Sequence, residues 1–370
     1  MIQKITIEEF LKLAALHPVL DVRSPGEYIH AHIPSAQSLP LFNDEERKQV
    51  GTAYKQQSRE AAIKIGLDYF GVKMMAMVEQ VEDIVGSWRL AVGNQQQTSG
   101  KLPTANCLLV HCWRGGMRSA AVAWLLDMYG FKVYLLTGGY KAYRKWVLAQ
   151  FEKNYNFNII GGYTGSGKTL LLHELKKQGK IIIDLEGLAN HKGSAFGALE
   201  GIPQPGQETF ENTLAQALAQ LAVGGEQFAD IANCIFIEDE SQRIGNIQIP
   251  RSLWCSMRKA PVFFMDIPFE ERLIYITEEY GKLKKETIKD AILRIQKRLG
   301  GLETKNALQF LESNNFMECF RILLSYYDKW YHKGLHNREN ISTLLNKIPC
   351  NGVDTEINTH KLLSCHIVNA

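Results

Sequence analysis

Two short segments carry residue types whose spacing fits chemistry. The first is HCWRGGMRS, residues 111–119. The apolar run NCLLVHC leads into it, and SAAVAWLLDMYG follows the pair Gly115–Gly116. This order reads as a buried strand, a tight loop and a helix. Such a loop turns backbone N–H groups toward Cys112 and sets its sulfur at a helix N-terminus, which favours the thiolate. Arg114 and Arg118 add positive charge, and with the Gly115–Gly116 backbone they read as an oxyanion cradle. Cys112 is therefore the candidate nucleophile. Its C-x5-R spacing to Arg118 suits two chemistries, sulfur or selenium transfer and phosphate-ester hydrolysis. Cys107 reads as an inert strand cysteine.

The second segment is GYTGSGKT, residues 162–169. It fits G-x-x-x-x-G-K-[ST] and lies between the strand-like FNIIGG and the helix-like TLLLHELKKQG. Backbone from Gly162, Gly165, Ser166 and Gly167 can wrap a phosphate at a helix N-terminus. Lys168 would neutralise terminal phosphate oxygens, and Thr169 can ligate Mg²⁺. The pattern leaves open a nucleotide, a diphosphate ester or a nucleic-acid backbone. A phosphate loop also calls for an acid at a neighbouring strand end. Asp239, at the end of CIFIED, is the first candidate, with Glu238 and Glu240 beside it. Asp184, with Glu186 after KIIIDLE, is the second.

The elements that must position these residues follow from the rest of the chain. Its 370 residues suggest two or three domains. Strand-like and helix-like stretches alternate, as expected of parallel α/β sheets. The helical stretch 140–152 runs into the polar link KNYNFN, so a boundary falls near residue 150. Residues 1–150 carry a net charge of +4 and residues 151–370 of −1, within an overall +3. Residues 93–106 read as a solvated loop, and the pattern turns helical from Phe269 to about Tyr331. Seven scattered cysteines without a CxxC pair suit a reducing cytoplasm. No apolar run is long enough to span a membrane, and Glu8 and Glu9 speak against a leader peptide.

Polyanion contact has two candidates. Lys282–Arg298 holds seven basic and two acidic residues, although a charge run is more often a solvated face. In LANHKGSAFG, residues 188–197, His191, Lys192 and Ser194 sit on a glycine-bounded segment near the phosphate loop. Tyr326, Tyr327, Trp330 and Tyr331 could stack on an unpaired base, but their helical spacing reads better as core. His173 has no partner pattern and reads as ordinary.

At this point a family resemblance becomes specific. DVRSPGEYIHAHIPSAQSLP (21–40), with Asp21, Arg23, Glu27 and His32, resembles the first half of a rhodanese domain, and HCWRGGMRS resembles its active-site loop. Cell-cycle dual-specificity phosphatases share that fold and loop length. The continuation LPLFNDEERKQVGTAYKQQSREAAIKIG is not generic rhodanese. With CWRGGMRS, GYTGSGKT, LANHKGSAFG and FIEDESQRIG, it resembles the tRNA 2-selenouridine synthase family. RIQKRLGG and LLSYYDKWY add to that likeness, which spans about residues 21–331.

The resemblance implies an N-terminal rhodanese-like parallel-sheet domain over 1–150. It implies a P-loop NTPase-like α/β domain with an added helical region over 151–340. Residues 341–370 carry no such likeness and read as a tail. It further implies a cytoplasmic transferase that replaces the sulfur of wobble 2-thiouridine in tRNA by selenium. Selenophosphate is the implied donor, and S-geranyl-2-thiouridine, made from geranyl diphosphate, the implied intermediate. Cys112 would be catalytic, with Arg114, Gly115, Gly116 and Arg118 binding selenophosphate. Gly162, Gly165, Ser166, Gly167, Lys168 and Thr169 would bind diphosphate. His191, Lys192, Lys284, Lys285, Arg294, Lys297 and Arg298 are the tRNA candidates. No tightly bound cofactor is expected, Mg²⁺ stays open, and a selenophosphate-producing enzyme is a candidate partner. A rhodanese–kinase fusion that uses ATP and a phosphatase built on Cys112 and Arg118 are the competing readings.

Overall fold

The computed structural model describes residues 2–95, 107–192, 202–223 and 234–368. Ser194 and most of the 93–106 segment lie outside the described residues. The chain forms two units, Met1–Ala149 and Gln150–Ala370. Among the described residues, no helix is long and apolar enough to cross a membrane.

The first unit is built on strands β1 (Gln3–Ile5), β2 (Val19–Asp21), β3 (Gln37–Ser38), β4 (Cys107–His111) and β5 (Lys132–Leu136). Its helices are α1 (Ile7–Ala14), α2 (Pro25–His30), α3 (Asp44–Gln56), α4 (Arg59–Gly71), α5 (Met74–Gln95), α6 (Met117–Tyr129) and α7 (Gly139–Gln150). The strand order is β1-β5-β4-β2-β3 and all pairs are parallel. β2 and β4 are buried at every position, which is why they read as unbroken apolar runs. The continuation at 39–66 forms α3 and most of α4, and α5 follows it. These helices are covered because Phe42, Phe70, Met77 and Val81 join Leu20, Leu108, Val110 and Leu126 in one core.

The second unit carries strands β6 (Phe157–Gly161), β7 (Ile182–Ile183), β8 (Ile235–Glu238), the hairpin pair β9 (Arg243–Ile244) and β10 (Ile247–Gln248), β11 (Val262–Asp266) and β12 (Leu345–Pro349). Its helices are α8 (Lys168–Lys177), α9 (Leu185–Leu188), α10 (Gln207–Val223), α11 (Arg251–Arg258), α12 (Phe269–Tyr280), α13 (Lys285–Leu299), α14 (Gly301–Glu312), α15 (Phe316–His336), α16 (Ile341–Leu344) and α17 (Thr355–Val368). The main sheet runs β12-β11-β6-β8-β7, again parallel throughout. Both units are thus α/β with parallel sheets. α12 to α15 pack on their own core of Leu273, Ile288, Ile292, Leu311, Phe320 and Leu324.

The segment after residue 340, read from sequence as a tail, belongs to this unit. β12 pairs with β11 over five residues and closes the sheet. Ile348, Cys350 and Leu362 are buried beside Leu171, Leu172 and Phe263. Val353 lies 2.8 Å from where a Cβ on Gly167 would stand, so this segment also backs the phosphate loop. The segment was illegible because LNKIP alternates no apolar face and only Ile348 of the strand is fully buried. Truncating Ile348 to Ala should therefore destabilise the second unit by ~2–5 kcal/mol, read as a lowered urea midpoint. An unchanged midpoint would mean that β12 is dispensable.

Candidate active sites

In the first unit, Cys112 follows β4 directly and leads into α6. The loop rests on the N-terminus of α7. Tyr140 N–H donates to Cys112 O at 2.8 Å, and Lys141 N–H donates to Trp113 O at 3.0 Å. Two glycines permit this approach. Gly115 has φ +64° and a Cβ there would stand 2.6 Å from Leu136 O; Gly139 has φ +59° and a Cβ would run into Cys112 O. Cys112 is buried, and its Sγ lies 3.2 Å from Ser119 Oγ. Ser119 in turn donates to Gly116 O at 3.1 Å. With that proton on Gly116 O, a Cys112 thiol donates to the hydroxyl oxygen, whereas a thiolate would accept a hydrogen bond from Ser119 only once the hydroxyl turns from Gly116 O. Ser119 is a site residue that the motif contained but spacing alone did not single out.

The two arginines differ. Arg114 is exposed on the loop. Arg118 is half-buried and forked onto Glu27, with Nη1 donating at 2.6 Å and Nη2 at 3.3 Å. Arg47 adds a second cation 3.6 Å from Glu27. Burial alone would raise the Glu27 carboxyl, but the Arg118 and Ser24 N–H hydrogen bonds with Arg47 outweigh it and hold it at about 2. Arg118 therefore stands beside the loop with its charge already countered, not as a bare oxyanion donor. Beneath the loop, Arg23 is fully buried. It donates to Asp21 and to Ala31 O, and it lies 3.9 Å over the Tyr140 ring. His111 is packed between Phe10 and Tyr140, and burial pushes its imidazole down into the neutral form. It supplies no positive charge to Cys112.

In the second unit, the loop 162–167 links β6 to α8 with Gly162, Gly165 and Gly167 all at positive φ. Lys168 Nζ folds back to Gly162 O at 3.0 Å. Gly162 N–H donates to Tyr331 Oη at 3.0 Å. Thr169 Oγ1 donates to Glu186 Oε2 at 2.9 Å, and Glu186 N–H lies 3.4 Å from Glu238 Oε2. Glu238 is fully buried, and burial followed by repulsion from Glu186 and Asp184 pushes its carboxyl up to about 8. Glu240 is likewise raised, by burial and then by Glu186 and Glu238.

The acid beside Thr169 is thus Glu186 with Glu238, and not the two aspartates read from sequence. Asp239 accepts from Tyr331 Oη at 2.7 Å and pairs with Arg338. Asp184 caps α9 through Gly187 N–H and takes His173 Nε2 at 2.7 Å. Their carboxylates are spent on packing the loop's surroundings. Sequence could not separate Glu238, Asp239 and Glu240, because strand alternation decides which one points at Thr169.

A cavity of about 730 Å³ opens from this loop. The loop forms one end with Lys168, Thr169 and Glu186. Tyr275 and Ile276 of α12 and Tyr326, Tyr327, Trp330 and Tyr331 of α15 line another side. The aromatic group read as core therefore faces the cavity, although Tyr326 and Tyr327 also pack on the helical core. Lys192 and Arg298 line the cavity too, with Lys192 Nζ 5.8 Å over the Tyr280 ring. His191 is buried, and its imidazole is lowered by burial and by the nearby Arg294. His191 and Lys192 thus lie near the C-terminal half of α13. Lys297 is exposed on the same turn. Lys284 and Lys285 sit at the other end of α13, about 20 Å away. Lys285 Nζ donates to Glu312 O at 3.3 Å.

The Glu27–Arg118 pair generates a pH-dependent prediction. The folded carboxyl titrates below its unfolded value, so the pair stabilises above about pH 4.5 and is lost as pH falls toward 2. Glu27→Gln should cost ~1–3 kcal/mol at pH 7, with the gap to wild type closing in acid. A gap that stays constant from pH 7 to 3 in urea titrations would refute the assignment.

The family model for the AAA domain of tRNA 2-selenouridine synthases matches residues 155–348. The tRNA 2-selenouridine synthase of Hydrogenovibrio crunogenus is 35% identical over 353 residues, covering 87% of this chain and 90% of that one. Those of a Sulfurovum species and of Bdellovibrio bacteriovorus are 34% and 33% identical, covering 85% and 87% of this chain and 87% and 89% of theirs. The likeness spans the thiol loop and the phosphate loop alike, and on these grounds the chain belongs to the tRNA 2-selenouridine synthase family.

Proposed function

We propose that this protein is a cytoplasmic transferase that converts wobble 2-thiouridine of tRNA into 2-selenouridine in two steps. The observation that carries the reading is the presence in one chain of two different anion-handling loops. One surrounds a cysteine at a helix N-terminus; the other is a phosphate loop with Lys168 at its end.

In the first step, the phosphate loop holds the diphosphate of geranyl diphosphate through its backbone N–H groups and Lys168. The C1–O bond breaks and its electron pair leaves on diphosphate. The thiocarbonyl sulfur bonds to C1, and the N3 proton passes to water. Donors aimed at the departing diphosphate stabilise charge as it develops there. In the second step, selenium from selenophosphate adds at C2, geranylthiol leaves, and water takes the phosphoryl group as phosphate. Cys112 in its loop handles the selenium donor, with Ser119 able to donate to a thiolate and Arg114 open to the incoming anion. The alkylated sulfur is the better leaving group, which is why geranylation comes first. Lys192, Arg294, Lys297 and Arg298 would track the tRNA backbone beside the cavity.

Mg²⁺ fits the second site. Glu238 Oε1 is buried without a hydrogen bond, and Thr169 Oγ1 and Glu186 lie next to it. These are the hard oxygen ligands that Mg²⁺ takes. Thr169, Glu186 and Glu238 would hold the ion, which when bound offsets diphosphate charge. Mg²⁺ with inorganic diphosphate should raise the thermal midpoint of wild type by several degrees and that of Glu238→Gln by much less. Equal shifts would remove Glu238 from the ion's surroundings. The same oxygen group favours a second reading, phosphoryl transfer from ATP.

The deciding experiment is nucleoside mass spectrometry on 2-thiouridine tRNA incubated with geranyl diphosphate, selenophosphate, both, or ATP. A geranyl adduct in the first tube and 2-selenouridine when both are present are the expected products. Cys112→Ala should lose selenation and keep geranylation, and Lys168→Ala should lose geranylation. Equal loss of both steps in both variants would overturn this division. ATP turnover with unchanged tRNA would favour the second reading.

A further inference from the structure

The phosphate loop accounts for one end of the second unit's cavity, but nothing above assigns its aromatic side. That side begins at the loop itself. A Cβ on Gly165 would stand 2.5 Å from Ile276 Cδ1, so the group next to a bound diphosphate meets α12 side chains at once. Beyond Ile276, the side is continued by Tyr275, Tyr326, Tyr327, Trp330 and Tyr331.

The Tyr331 ring turns its face to a cation of the phosphate loop. Lys168 Nζ lies 5.6 Å over the Tyr331 ring. The Tyr331 hydroxyl is held between Gly162 N–H and Asp239, which fixes the ring beside the phosphate loop. Burial and Asp239 keep that hydroxyl protonated, so the ring serves as a neutral face rather than as an acid or base. An electron-rich face at that spot suits positive charge developing at an allylic carbon as diphosphate departs. Tyr326 and Trp330 meet edge to face at 6.4 Å, and Trp330 is 46% exposed. Trp330 stands outside the helical core that takes up Tyr326 and Tyr327.

We propose that the surface formed by Ile276, Tyr326, Tyr327 and Trp330 is the tail subsite of the phosphate-loop cavity, binding the unsaturated hydrocarbon chain of an isoprenoid diphosphate and setting the chain length accepted. The inference rests on the diphosphate-ester reading above and adds where the chain lies and which side chains measure it. Tyr331, at the phosphate end, faces C1. Trp330, at the solvent end, covers the distal isoprene unit, so a shorter chain forgoes its contact.

The test is a binding series on the full-length protein. Inorganic diphosphate, dimethylallyl, geranyl and farnesyl diphosphates and ATP are titrated calorimetrically against wild type, Trp330→Ala, Trp330→Phe and Tyr326→Leu. Wild type should bind geranyl diphosphate at least about tenfold more tightly than either inorganic or dimethylallyl diphosphate. Trp330→Ala should erase about tenfold of that preference while leaving inorganic diphosphate unchanged, and Trp330→Phe should restore most of it. Tyr326→Leu should move the preference among chain lengths. Trp330 is exposed, so its variants keep the helical core, and unchanged inorganic diphosphate binding certifies a folded loop. Equal binding of inorganic and geranyl diphosphates by wild type, or a chain-length ratio untouched by all three variants, would overturn the subsite. If geranyl transfer to tRNA still occurs in that case, the diphosphate-ester reading survives and the chain binds elsewhere. If ATP binds and no isoprenoid diphosphate does, that reading falls with it.

Discussion

The second unit depends on how its phosphate loop is held from outside. Gly162 donates its N–H to Tyr331, Tyr331 donates to Asp239, and Arg338 neutralises Asp239. At the next turn, Arg272 donates to Thr164 O and forks onto Asp328 at 2.9 and 2.7 Å. Arg272 and Arg338 are both buried, and a buried guanidinium without its carboxylate would be costly. The helical region is therefore no appendage. Its α12 and α15 cannot shift without unpairing charges inside the unit that builds the phosphate site. The C-terminal segment adds Val353 behind Gly167.

Those two ion pairs also explain the division of labour among the acids. Asp239 and Asp328 meet arginines in structural roles. Glu186, Glu238 and Glu240 meet one another and Thr169, and burial with mutual repulsion raises Glu238 and Glu240. Unpaired carboxyls crowded beside a phosphate loop suit an incoming cation, because that charge relieves their repulsion. The aromatic side of the same cavity is the opposite environment. One cavity thus offers a charged end and an apolar side, as a ligand with a diphosphate head and a hydrocarbon tail requires.

The first unit solves a different problem with similar means. Its loop carbonyls are satisfied by α7 N–H groups, and its glycines remove the Cβ atoms that would block that approach. The buried Asp21–Arg23 pair and the neutral His111 make the floor rigid. Glu27 takes up Arg118, so the charge around Cys112 is set by backbone, by the Ser119 hydroxyl and by the exposed Arg114.

The sequence by itself determined both nucleating motifs, since glycine-rich strand–loop–helix segments encode their own backbone shape. Buried parallel strands read as apolar runs, so β2, β4, β6, β8 and β11 were legible, as was the break between the units near residue 150. Cys112, Lys168 and Thr169 could be placed on those loops without coordinates because their positions follow from the local motifs. What only the tertiary structure decided are the contacts between distant segments. Arg118 meets Glu27 from ninety-one residues away, Asp239 meets Arg338 from ninety-nine, and Tyr331 reaches Gly162 across one hundred and sixty-nine. The choice of Glu238 over Asp239, the joining of β12 to the sheet and the turning of Tyr326, Tyr327 and Trp330 toward a cavity belong to the same class. Each depends on which side chains a packed interior brings together, and a linear pattern holds no information on pairings between segments that far apart.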